Sequence, residues 1–174
     1  ADLANDLGNL LNRTLKMTSR YCGGVVPKVS PDSLADDHSL KQKGMPLAQQ
    51  VTHAYDQLAY SEACEAVLNL VRASNKYLDE TAPWTLYKQG QQAETEVALY
   101  AVLESVRLAG YLLSPVVPDL SNAIYAQLGF DGNFNDADIG NTFSFAEHGR
   151  WGALPAEQPL GKAQPIFQRI EVEA

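Results

Sequence analysis

A stretch that leaves no polar face constrains this chain most. From Val97 onward it carries Val97, Leu99, Tyr100, Val102, Leu103, Val106, Leu108, Tyr111 and Leu112. A helix apolar nearly all round belongs at the centre of a bundle. The spacing predicts a central helix from about Gln92 to Leu113, stopped by Ser114-Pro115. No apolar run approaches the roughly 20 residues that a membrane span needs.

The segments around it are amphipathic. Leu3, Leu7, Leu10, Leu11 and Leu15 form one stripe, predicting a first helix from about Asp2 to Tyr21, ended by Gly23-Gly24. Opposite the stripe, Asn9, Arg13, Lys16 and Arg20 follow at spacings of four, three and four, so they share one exposed line. A second helix is predicted from Pro46 to about Tyr60, with Leu47, Val51, Ala54 and Leu58 on its buried side. A third runs from Ser61 or Glu62 to Ala82, with an imperfect capping box at Ser61 and with Cys64, Val67, Val71, Ser74 and Leu78 facing inward. Pro83 breaks that pattern and opens a short helical piece to Lys88, with Trp84 just after the break. Trp84 has two readings, a core plug or a stacking platform at a helix end. A fifth helix follows Pro118-Asp119 and ends at Gly129. The sequence thus predicts an all-α bundle of about five helices.

Two segments lack a period. Val25 to Gly44 reads as a polar, insertion-tolerant surface connector with at most a short helical turn. Phe130 to Ala174 reads as an irregular tail that packs its aromatics on the bundle or on a neighbour. The division is therefore 1–129 for the bundle and 130–174 for the tail. The chain opens inside a helix with almost no lead-in, as expected of a fragment cut near a domain boundary.

The chemistry is mostly excluded. His38, His53 and His148 have no partners at metal-ligand spacing. HExxH, GxxxxGK[ST] and GxSxG signatures are absent. The glutamates fall on solvent faces without a histidine at di-iron spacing. Cys22 and Cys64 form no CxxC pair, which suggests buried thiols in a reduced, cytoplasmic chain. Lys plus Arg number 13 against 21 Asp plus Glu, a formal charge of −8. That argues against a general nucleic-acid binder but permits a small, locally basic contact.

Three stretches carry a resemblance: Asp6-Leu7-Gly8-Asn9-Leu10-Leu11-Asn12-Arg13-Thr14, then Asn75-Lys76-Tyr77-Leu78-Asp79-Glu80-Thr81-Ala82-Pro83-Trp84, then Trp151-Gly152-Ala153-Leu154-Pro155 through Gln168-Arg169-Ile170-Glu171. In this order the chain resembles the C-terminal, anticodon-binding part of methionyl-tRNA synthetases. The resemblance implies a class I synthetase-type anticodon-binding helix bundle that reads the CAU anticodon. It implies methionine tRNA and the enzyme's own catalytic domain as partners, and neither a membrane nor DNA. The HIGH and KMSKS signatures are absent, so this part alone is expected to be inactive and to hold no cofactor. ATP and methionine are implied for the full-length ligase.

By motif position, the resemblance gives Trp84 the role of stacking on the first anticodon base, cytosine, with Pro83 setting its direction. It gives Arg13 the reading of that base, with Asn9 and Lys16 as further candidates. Some relatives carry a second arginine four residues after Arg13, where this chain has Met17. The physics is compatible, because an unpaired base is read by a stacking surface plus donors and acceptors for its edge, and a guanidinium offers donors that suit cytosine. Two other readings remain open: a helical protein-interaction module with Trp84 in its core, and the anticodon domain of another class I synthetase.

Overall fold

The computed structural model describes residues 3–167. Helices dominate and no strand is present among them; one isolated antiparallel bridge joins Val25 to Pro159. Leu3–Gly8 winds as a π-helical segment and continues as α1 (Asn9–Cys22). The remaining helices are α2 (Ser39–Gly44), α3 (Leu47–Asp56), α4 (Tyr60–Thr81), α5 (Pro83–Lys88), α6 (Gln92–Leu112), α7 (Pro118–Gln127), α8 (Ile139–Thr142) and α9 (Phe145–His148). The five longer helices expected from the sequence are α1, α3, α4, α6 and α7, and α5 is the short piece after the proline. Asp2, at the start of the first expected helix, lies outside the described residues.

α6 is the axis. Every residue from Ala98 to Gly110 is buried, and α1, α2, α4, α5 and α7 pack around it. α1 contributes Leu10, Leu11 and Leu15, the π segment contributes Leu7, and α4 contributes Ala63, Val67, Leu70, Val71, Ser74 and Leu78. Burying a leucine side chain is worth about 1.5–3 kcal/mol, so this interleaving is the main favourable term. Cys64, expected to face inward, is only half-buried: the buried stripe of α4 is Ala63, Val67, Leu70, Val71, Ser74 and Leu78, and Cys64 lies at its margin. The Ser61 cap does not form, and the α4 start has no side-chain cap.

The connector is a correction. Val26, Val29, Leu34 and Leu40 are buried in the core, so residues 25–44 are a structured wall and not a plain surface loop. The signal was hidden because these four apolar residues share no period: Val26 and Val29 lie in non-helical backbone, Leu34 just after a 3-10 turn and Leu40 in a short helix. Backbone bonds tie the start of this wall to the tail: Val26 N–H donates to the Gln158 carbonyl at 2.9 Å, and Glu157 N–H returns to the Val26 carbonyl at 2.9 Å.

A second correction concerns the glutamates. Glu104 is fully buried, as is Arg107 one turn later on α6. The Arg107 Nε and Nη2 donate to the two Glu104 carboxylate oxygens at 2.8 and 2.6 Å. The other guanidinium donors go to the Tyr125 hydroxyl at 3.1 Å and to the carbonyls of His148 and Arg150, each at 2.7 Å. All five N–H donors of the arginine are therefore used. Glu104 in turn accepts the backbone N–H groups of Gly152, Ala153 and Leu154 at 2.7, 3.2 and 3.0 Å. One buried ion pair thus fixes the backbone of residues 148–154 from both sides. Burial disfavours the Arg107 cation, but Glu104 outweighs it and raises the pKa further above its usual value.

Trp151 and Leu154 from this stretch are buried. The Trp151 ring lies so close to α2 that a side chain at Gly44 would collide with it. Beside them, Tyr125, Phe130, Phe134, Phe143 and His148 form an aromatic cluster, with Tyr125 and Phe130 stacked at 4.6 Å. The Gln168-Arg169-Ile170 patch lies outside the described residues.

Candidate nucleic-acid interface

The exposed line on α1 exists because the opposite stripe is leucine. Asn9, Arg13, Lys16 and Arg20 are all exposed, and Arg20 lies in the last turn, where a cation suits the helix dipole. Gly23 in the left-handed region ends α1, with its N–H on the Thr18 carbonyl.

The second part of the site is the corner between α4 and α5. A residue before proline is disfavoured in the α region. Ala82 takes φ 48° and ψ 67°, the left-handed region, and serves as the end of α4 and the start of α5. Its carbonyl accepts from Thr85 at 2.8 Å. Pro83 is the first residue of α5 and is buried, while Trp84 is half-buried. A fixed proline on the inside and a part-exposed indole on the next residue are consistent with the proline setting the direction of the ring.

An ion pair spans the two parts. Arg13 Nη2 lies 2.7 Å from Asp79 Oδ1, with side-chain exposures of 43% and 61%. Asp79 sits in the last turns of α4, five residues before Trp84. The pair uses one edge of the guanidinium and leaves the remaining donors available.

Two further features flank this surface. Asn9, Asn12 and Lys16 line a crevice of about 370 Å³ whose other wall is Pro165, Ile166 and Phe167 from the tail. At the far end of α1, Tyr21 stacks on Tyr87 of α5 with centroids 4.3 Å apart, and the Arg20 guanidinium carbon lies 5.8 Å from the Tyr21 ring centre. The Asp79 partner, the Tyr21–Tyr87 pair and the tail wall escaped the sequence reading. They join residues far apart in the chain, and no local spacing announces such contacts.

Reactive groups do not converge here. No cluster of three or more potential metal ligands occurs among the described residues. Burial pushes the Cys22 thiol up to about 11, with Glu96 adding to it, and burial also raises Cys64, so neither is a ready thiolate. An open groove of about 870 Å³ lies elsewhere, between α3 and α9, and includes Met45, His53, Phe145 and Arg150. No helix among the described residues is long and apolar enough to cross a membrane.

A family model described as the anticodon binding domain of methionyl tRNA ligase matches residues 26–171. The methionine–tRNA ligase of Synechocystis sp. is 53% identical over 176 residues, covering 100% of this chain and 33% of that protein. The methionine–tRNA ligase of Nostoc sp. is 54% identical over 172 residues, covering 98% and 32%. Among solved structures, the free-state Mycobacterium tuberculosis methionyl-tRNA synthetase superposes with a TM-score of 0.85 at 32% identity, over 99% of this chain and 33% of that one. The same enzyme in complex with methionyl-adenylate gives a TM-score of 0.83. The chain therefore belongs to the family of anticodon-binding domains of methionyl-tRNA ligases and spans about a third of the length of those enzymes.

Proposed function

We propose that this chain reads the CAU anticodon of methionine tRNA and positions that tRNA for a catalytic domain that uses ATP and methionine. The observation that carries the reading is the corner at Ala82-Pro83, which leaves Trp84 half-buried beyond the α4 end that Arg13 bridges through Asp79. The first anticodon base, cytosine, stacks on the Trp84 indole. Arg13 donates to its carbonyl oxygen and ring nitrogen, which a uracil would present differently. Asn9 and Lys16, on the same exposed line, are further candidates for contacting that base, and Pro83 holds the ring in place from inside the fold.

The magnitudes fit a small contact on an acidic protein. Stacking supplies about 1–3 kcal/mol per base, and a good specific pairing adds about 1–3 kcal/mol of discrimination. Few phosphate contacts are then needed, so a net charge of −8 is tolerated if Arg13, Lys16, Arg20 and Lys88 face the RNA together. The exposed Arg13–Asp79 pair is worth at most about 1 kcal/mol, so exchanging it for a base edge costs little.

The test is a titration of a CAU anticodon stem-loop at fixed salt. Trp84→Ala is expected to weaken binding at least fivefold while the helical signal and Tm are kept. Unchanged affinity, or loss of the fold, contradicts the stacking role.

A further inference from the structure

Tyr21 and Tyr87 present an aromatic surface that the reading above does not use. Tyr87 is 41% exposed although one of its faces is covered by Tyr21. It follows Trp84 by three residues on α5, and residues three apart are neighbours on a helix surface, about 5–6 Å between Cβ atoms. The backbone of Tyr21 is tied to α6, where the Gln92 side-chain amide donates to its carbonyl at 3.2 Å. The surroundings are cationic. Arg20 lies over the Tyr21 ring, and Lys88 adjoins Tyr87 and is exposed. Among the described residues, no ion pair neutralises Lys16, Arg20 or Lys88. Glu96, the nearby acid, accepts from Gln92 at 2.8 Å.

We propose that Tyr87, backed by Tyr21 and flanked by Arg20 and Lys88, is a second stacking subsite, which takes the base next along the same unpaired RNA loop from the one at Trp84. The proposal rests on the anticodon-reading function above. An exposed π-face in a cationic setting is the pattern that binds unpaired nucleotides with little regard to base identity. Trp84 and Arg13 would then select the base, and Tyr87 would hold its neighbour in line. Charge complementarity and continuity with the Trp84 corner both favour RNA as the occupant.

The plain structural alternative is that the tyrosine pair only fastens α5 to α1, and leucine separates the two. Tyr87→Leu keeps an apolar contact but removes the π-face, whereas Tyr87→Phe keeps both. With a labelled CAU stem-loop, Tyr87→Leu is expected to weaken binding about tenfold with Tm preserved, and Tyr87→Phe to stay within about twofold of the parent. The loss with leucine is expected to vanish when one of the two nucleotides flanking the cytosine is made abasic. If Tyr87→Leu binds like the parent while Trp84→Ala is weakened, the second subsite is wrong and the anticodon reading stands. If Trp84→Ala binds normally but Tyr87→Leu does not, the aromatic surface binds RNA and the Trp84 reading fails. Equal losses with Leu and Phe, or a leucine loss indifferent to every abasic position, overturn the subsite.

Discussion

Two ion pairs in this molecule share the same chemistry and differ in burial. Glu104 and Arg107 are 0% exposed and use all five guanidinium donors on protein groups; Arg13 and Asp79 are 43% and 61% exposed and make a single bond. A buried charge left without its partner is expensive, so the first pair cannot be opened without unfolding what it holds. A solvated pair gains little from staying closed, so the second can exchange partners. The inner pair belongs to the architecture, while the outer pair keeps a guanidinium exposed on the surface proposed to meet RNA.

The largest effect that tests this contrast is Glu104→Gln. It leaves the Arg107 cation buried without its counter-charge and weakens the hold on residues 152–154. We expect a loss of about 3–5 kcal/mol in stability and a fall in Tm of about 10 °C by thermal melting. A change below 1 kcal/mol would erase the distinction between the pairs. Next in size is Arg13→Ala, expected to reduce discrimination between cytosine and uracil at the first anticodon position by about 1–3 kcal/mol in stem-loop titrations. Its stability should stay within about 1 kcal/mol of the parent.

A smaller effect concerns acid. Burial lowers the His148 pKa from its usual value, and the Arg107 charge adds to this, against Glu147 and Glu104. His38 is lowered as well, mainly by burial. A histidine with a depressed folded pKa stabilises the fold above the unfolded value of roughly 6.5, and that contribution is lost as pH falls toward the folded pKa. Denaturant melts between pH 7 and 5 should therefore show stability falling with acid. His148→Asn should make that slope shallower; an unchanged slope would remove the histidine from the inner network. The smallest effect is Asp79→Asn, expected to change stability by less than 1 kcal/mol in the same melts. A larger loss would mean that the outer pair is structural after all.

What was legible in the sequence follows the same division between local and distant contacts. Periodicity located α1, α3 and α4, since a helix buries one stripe and the apolar residues mark it; the all-round apolar run located α6, and the Pro118-Asp119 start with the Gly129 stop located α7. The proline rule placed the break before Trp84. Glu104 and Arg107 were passed over because a polar pair inside an apolar run has no separate periodic signature. Its partners come from residues 148–154, which sequence spacing cannot connect to α6. The connector was underestimated for a similar reason: Val26, Val29, Leu34 and Leu40 reach the core through irregular backbone. For the interface, Arg13 and Trp84 were picked out by motif position and helix geometry. Asp79, Tyr21 and Tyr87 became visible only once α1, α4 and α5 were side by side.

The central claim is that a cytosine lies on the Trp84 ring, and the emission of that indole tests it most directly. The chain has two tryptophans, and the other, Trp151, is buried on the α2 side of the bundle. Titration with a CAU stem-loop should quench the emission saturably, and a UAU loop should quench it far less at equal concentration. The quenching should be lost in Trp84→Leu. Binding of the CAU loop with no change in Trp84 emission would contradict the account.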